Sequence, residues 1–113
     1  MERRPMRGEL WRADLGEPEG HEQAGVRPVI ILQTDHLSRH PKVRTVVVVP
    51  LTSKDNHAGR PYAVDLSQPN QTSVVLCHQI RALDVGKLIC PLQMLPPAVL
   101  AEIEARTRFV LGL

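Results

Sequence analysis

The sequence predicts a curved antiparallel sheet or small barrel packed by one C-terminal helix. Three observations predict it: β-branched and alternating apolar runs fill the first two-thirds of the chain, ten prolines punctuate it, and a helical apolar period begins only after residue 96. Glu9-Leu10-Trp11-Arg12-Ala13-Asp14-Leu15 alternates with period two, as a half-buried strand does, before the turn-rich Gly16-Glu17-Pro18-Glu19-Gly20. Two runs, 28–33 and 43–51, are apolar on both faces and rich in Val and Ile, as central strands are. Shorter strands follow at 62–66 and 73–77, with a turn at 67–71 between them, so five strands precede residue 80. Asp84-Val85-Gly86-Lys87 reads as a turn leading from the fifth strand into a last one at 88–93. Pro96 and Pro97 suit a first helical turn, where a missing N–H costs nothing. Val99, Leu100, Ile103, Thr107, Val110 and Leu111 then recur at helical spacing, and Glu102 and Arg106 stand four apart, placed to pair on the outer face.

Composition bounds the function. The 113 residues suit a single domain spanning 1–113, and 42% apolar content builds a core without metal or disulfide staples. The longest apolar run, 46–51, is far shorter than a membrane span, and the first ten residues are too charged for a secretory signal; a soluble, cytoplasmic protein is expected. Cys77 and Cys90 fit no metal-ligand spacing and are read as reduced, mostly buried thiols. Net charge is +2, concentrated in residues 36–60, which carry five Lys/Arg against one acid and also hold His36, His40 and His57. A polyanion would be attracted there most strongly, although a solvated loop has the same composition. His36 and His40 are spaced i, i+4, but Pro41 follows and no HExxH stands there, so no metal site is expected. Phosphate-binding glycine loops and the GxSxG nucleophile elbow are absent.

What remains is polar residues at strand ends. Arg27 enters the second strand, where its planar fork of donors would clamp a phosphate or pair with Glu22. Thr52 and Ser53 close the third strand, where Thr52 would bond a phosphate or sugar oxygen, or cap the loop backbone. Gln79 and Arg81 offer further donors after the fifth strand, for a ligand or for loop carbonyls.

Four blocks in order lift these residues out of anonymity: Arg7-Gly8-Glu9-Leu10-Trp11; Gly20-His21-Glu22-Gln23-Ala24-Gly25-Val26-Arg27-Pro28-Val29; Val47-Val48-Val49-Pro50-Leu51-Thr52-Ser53; and Ser73-Val74-Val75-Leu76-Cys77-His78-Gln79-Ile80-Arg81-Ala82-Leu83-Asp84. From about residue 6 to 113 the chain closely resembles the MazF/PemK family of bacterial toxins. The resemblance implies an SH3-like, MazF/CcdB/Kid-like barrel with a C-terminal helix. It also implies a cofactor-free, ribosome-independent endoribonuclease that cuts single-stranded RNA at short sequences, leaving 2′,3′-cyclic phosphate and 5′-hydroxyl ends and arresting growth. Carried over by motif, Arg27 and Thr52 are its catalytic residues, with Glu22 moving a proton or orienting Arg27; Gln23, Ser53, Lys54, Gln79 and Arg81 are candidate RNA contacts. A MazE-like antitoxin and a homodimer are the implied partners, the antitoxin tail covering a surface that includes 36–60. Two departures stand out: His78 replaces an acidic residue common in relatives, and the 53–60 connection is short and basic. A CcdB-like gyrase-binding toxin and a non-catalytic RNA-binding homologue are the alternatives, and Arg27 with Thr52 favours the nuclease.

Overall fold

Among the described residues are seven strands and a long terminal helix, six of the strands in the expected order. The structure is a computed structural model and describes residues 3–66 and 73–113. Its elements are β1 (Glu9–Asp14), β2 (Val26–Ile31), α1 (Asp35–Ser38), β3 (Thr45–Thr52), β4 (Ala63–Asp65), β5 (Val74–Leu76), β6 (Arg81–Asp84), β7 (Leu88–Met94) and α2 (Pro97–Leu111). Every pairing is antiparallel, in the spatial order β4-β5-β3-β2-β1-β7, with β6 also on β3. The fold is barrel-like, and β4, β6 and β7 each pair on one side only among the described residues. The turn expected at 67–71 lies outside the described residues.

β6 corrects the expected path, in which a turn at 84–87 alone joined β5 to the last strand. Only Leu83 of its four side chains is buried, so the segment carries almost no apolar pattern of its own; pairing with Thr45 to Val48 makes it a strand. The expected turn is a single 3-10 turn, Val85–Lys87, in which the Asp84 carboxylate accepts from the Gly86 N–H at 2.7 Å.

Strand alternation divides the core. Trp11, Ala13, Val29, Ile31, Val46, Val48 and Leu83 fill one face. Ile30, Val49, Leu51, Val64, Val75 and Cys77 fill the other, where Ile103 of α2 packs on them. Burying both faces explains why β2 and β3 show no polar side. Burial also pushes the Cys77 thiol up from its ordinary pKa, while Cys90 is half-buried, and both cysteines are free.

β3 changes partner midway, from β6 at Thr45 to Val48 to β5 at Leu51 and Thr52. The Val47 carbonyl accepts from the N–H groups of Leu32 and Gln33 on the β2 side. Alternation therefore turns the nitrogen of Pro50, three residues on, toward the gap between β6 and β5, where a missing N–H leaves no donor orphaned.

Helix α2 begins with Pro97 in its first turn and ends at Gly112, whose φ of 72° closes the last turn onto the carbonyls of Arg108 and Phe109. The expected Glu102–Arg106 pair does not form. Arg106 reaches across to the Pro61 carbonyl at 3.4 Å, a longer contact between elements that takes the guanidinium away from its own helix face. The ion pair of α2 joins Glu104 to Arg7 instead.

Candidate active site

The β1–β2 connection is the first part of the site. Gly16 and Gly25 pin its base: the Leu15 N–H donates to the Gly25 carbonyl and the Gly25 N–H to the Gly16 carbonyl, both at 2.8 Å. Both glycines have positive φ, 82° and 73°, so L side chains there would be strained. Gln79 grips the tip, with its Oε1 accepting from the Gln23 N–H at 2.8 Å and its Nε2 donating to the His21 carbonyl at 3.3 Å. Arg81 donates to the Leu15 carbonyl at 3.5 Å. The local alternative read for Gln79 and Arg81, that they satisfy loop carbonyls, is what the geometry displays.

Arg27 leaves this loop into β2. Its Nε donates to the Ala24 carbonyl at 3.1 Å, and neither Nη has a partner among the described residues. Glu22 is exposed and makes no ion pair with it, so the Glu22–Arg27 alternative does not hold. Fixing Nε while freeing both Nη atoms orients a two-pronged donor toward solvent.

Thr52 is buried, and its Oγ1 accepts from the Lys54 N–H at 3.2 Å, as a local cap would. Ser53 and Lys54 follow it into solvent. The β2–β3 ladder pairs Val29 with Pro50, and continuing it by two residues sets Arg27 level with Thr52, where the strands part. A cavity of about 310 Å³ opens beside Arg27, lined also by Val26, Leu10, Leu51, Ser73 and Leu92; Thr52 does not line it. By alternation Arg27 extends the face of Val29 and Ile31, Thr52 that of Val46 and Val48, and Arg81 that of Leu83. Arg27 and Thr52 thus share one end of one sheet face, beside the held loop with Glu22 and Gln23, and Arg81 lies on the same face opposite Val48, four residues back along β3. Such a set can bind a phosphodiester and stabilise negative charge building on its oxygens.

His57, Tyr62 and His78 form a ring cluster that no motif announced, and Tyr62 packs on Val74, the β5 partner of Thr52. His57 and Tyr62 lie five residues apart, but His78 is sixteen beyond Tyr62, and no spacing rule joins the three. Burial, and then the neighbouring His57, hold the His78 pKa below its ordinary value.

Comparison with known proteins gives this arrangement a family. The family model described as PemK-like, MazF-like toxin of type II toxin-antitoxin system matches residues 6–111. Among solved structures, MazF from Deinococcus radiodurans superposes with a TM-score of 0.84 at 28% identity, covering 99% of this chain and 100% of that one. An endoribonuclease in complex with its cognate antitoxin from Mycobacterial species superposes at 0.78 with 28% identity and 96% coverage of both chains. A MazE–MazF structure from Deinococcus radiodurans gives 0.78 and 28%, with 99% of both chains covered.

Proposed function

The chain belongs to the PemK-like, MazF-like toxins of type II toxin-antitoxin systems, and from that premise we propose that it is a metal-independent, ribosome-independent endoribonuclease acting on single-stranded RNA at a short sequence. The observation that carries the proposal is Arg27: an exposed guanidinium anchored through Nε, with both Nη groups open, level with Thr52 at the end of one sheet face.

In the proposed reaction the substrate's 2′-hydroxyl attacks the adjacent phosphorus. A bond forms from O2′ to phosphorus and the bond from phosphorus to O5′ breaks, leaving a 2′,3′-cyclic phosphate and a 5′-hydroxyl. The hydroxyl proton leaves to a base and a proton reaches O5′. No enzyme nucleophile is needed, so the protein aligns ribose and phosphate and stabilises charge. Arg27 holds the non-bridging oxygens. A guanidinium is a poor proton acceptor, so Glu22 is the group for proton transfer, or for orienting Arg27 once substrate closes the gap between them. Thr52 positions the phosphate or the 2′-hydroxyl. Gln23, Ser53, Lys54 and Arg81 contact the RNA backbone, and Gln79 contributes by holding the loop that presents Glu22 and Gln23.

The same reading proposes a cytoplasmic protein, regulated by a MazE-like antitoxin and assembled as a homodimer. Ile89, Leu92 and Met94 on the open-edge strand β7 are about half exposed, as a subunit interface would leave them in a lone protomer. No helix among the described residues is long and apolar enough to cross a membrane.

The test incubates purified protein with long unstructured RNA in excess EDTA, beside an Arg27→Ala preparation made identically, and identifies product ends by mass spectrometry. Cyclic-phosphate and 5′-hydroxyl ends at one short motif, absent with the variant, are expected. Intact RNA across many sequences would overturn the nuclease assignment, and equal cutting by both proteins would remove Arg27 from it.

A further inference from the structure

Three rings gather where the connection after β3 meets the turn after β5, and the cleavage scheme uses none of them. Tyr62 and His78 lie against each other with centroids 3.9 Å apart and planes tilted by 49°. His57 stands edge-on to Tyr62 at 5.7 Å, and its Nδ1 is 2.6 Å from the Tyr62 hydroxyl. The cluster has a firm floor: Tyr62 packs on buried Ala63, Val74 and Leu76, and its carbonyl accepts from the Cys77 N–H at 3.1 Å. His78 is exposed, while Tyr62 and His57 are half-buried, so the rings keep open surface.

Their position ties them to the proposed site. His78 immediately precedes Gln79, which grips His21 and Gln23, and His57 lies three residues beyond Lys54. Trp11 is buried and Phe109 lies on α2, so Tyr62 is the one aromatic side chain of the Phe, Tyr, Trp class on this rim. Burial, and then the neighbouring His57 ring 6.0 Å away, oppose charge on His78. The cluster offers flat faces with hydrogen-bonding edges, which suit a base better than a phosphate. Single-stranded RNA presents unstacked bases, and proteins recognise them on such platforms.

We propose that Tyr62 and His78, braced by His57, form a stacking subsite for one unpaired nucleobase of the RNA beside the scissile phosphate. The subsite deepens the endoribonuclease reading and rests on it. It assigns a role in choosing the cleaved sequence to residues outside the catalytic set, including His78, where an acidic residue could not stack.

Two measurements test it. In the first, the histidine ring protons of the intact protein are followed by NMR during titration with a mixed-sequence heptanucleotide carrying 2′-O-methyl groups, which binds but cannot cyclise. Saturable upfield shifts at His78 and His57, with His36 and His40 unmoved, are expected. In the second, 5′-hydroxyl ends from a random RNA pool are mapped by sequencing. His78→Ala is expected to relax the base preference at one position beside the cut and to lower kcat/KM at the preferred site roughly 10- to 100-fold. Tyr62→Phe, which keeps the ring, should retain the preference. Silent rings at saturating oligonucleotide, or an unchanged cut-site preference in folded His78→Ala, would overturn the subsite. RNA left intact while the rings still shift would overturn the nuclease reading and leave the base subsite standing.

Discussion

The arginines of the N-terminal segment and the arginine that enters β2 have the same chemistry and opposite circumstances. Arg3 pairs with buried Glu9 at 2.6 Å and lies over the Trp11 ring; Arg4 donates to the Ser38 carbonyl; Arg7 reaches both the Leu32 carbonyl and Glu104. Each is engaged by the protein's own acceptors. Arg27 gives only Nε to the chain and keeps its two Nη groups open. A guanidinium whose fork is engaged internally serves packing, whereas one anchored by a single nitrogen is preorganised for an acceptor from outside. Charge counts along the sequence conceal this difference, since residues 1–35 are net acidic and yet contain Arg27.

The comparison breaks most easily at Arg27. Arg27→Ala should lower single-turnover cleavage by about 10²- to 10³-fold, by analogy with removal of one preorganised oxyanion donor, with no change in thermal midpoint. Cutting at the wild-type rate would end its assignment. The opposite pattern is expected for Glu9→Ala, which strips a buried acceptor from Arg3, the Met6 N–H and the Trp11 Nε1. It should cost about 3 kcal/mol in urea unfolding while the folded fraction still cuts RNA; a midpoint within error of wild type would show that the pair contributes nothing.

A smaller effect separates holding from touching. Gln79→Ala frees the tip of the β1–β2 loop, and cleavage should fall roughly tenfold together with faster hydrogen exchange at the Gln23 amide. Full activity with unchanged exchange would refute the clamp. The least effect is expected from pH. His78 has a folded pKa below its reference of 6.5, so the unfolded chain takes up its proton first. Stability is therefore full above 6.5 and declines as pH falls from there toward the lower folded value. His78→Gln should flatten this part of a thermal midpoint–pH curve, and an identical slope would show that the titration resides elsewhere.

Strands with a strong apolar signal were legible in the sequence, and so was the helix. β1, β2, β3, β4, β5 and β7 each match a run of alternating or β-branched residues, and Pro97 and the 99–111 spacing mark α2. β6 and α1 were not legible, because each buries a single residue, Leu83 and Ser38, and so shows no apolar run, and β6 owes its shape to the neighbouring β3. At the site, Arg27 and Thr52 stood out as polar residues at strand ends, and their motifs supplied the roles proposed for them. Their common end of a sheet face depends on register, which single segments do not encode. The Tyr62 and His78 stack was hidden for the same reason: a connection and a turn had to meet before the rings could.

Pro50 has a consequence for how the protein comes into being. Because β3 hands over from β6 to β5 at this residue, its neighbours lie on both sides of it in the chain, β2 before and β5 and β6 after. During synthesis β3 has only β2 to pair with until β5 has emerged at residue 76, and its first half stays unpaired on the other side until residue 84 has followed. Such long-range closure places folding in the slow range of β-rich domains, roughly milliseconds to seconds. A nascent chain that ends short of β6 therefore has an unfinished sheet and lacks Arg81, so the arrangement around Thr52 is completed late in translation.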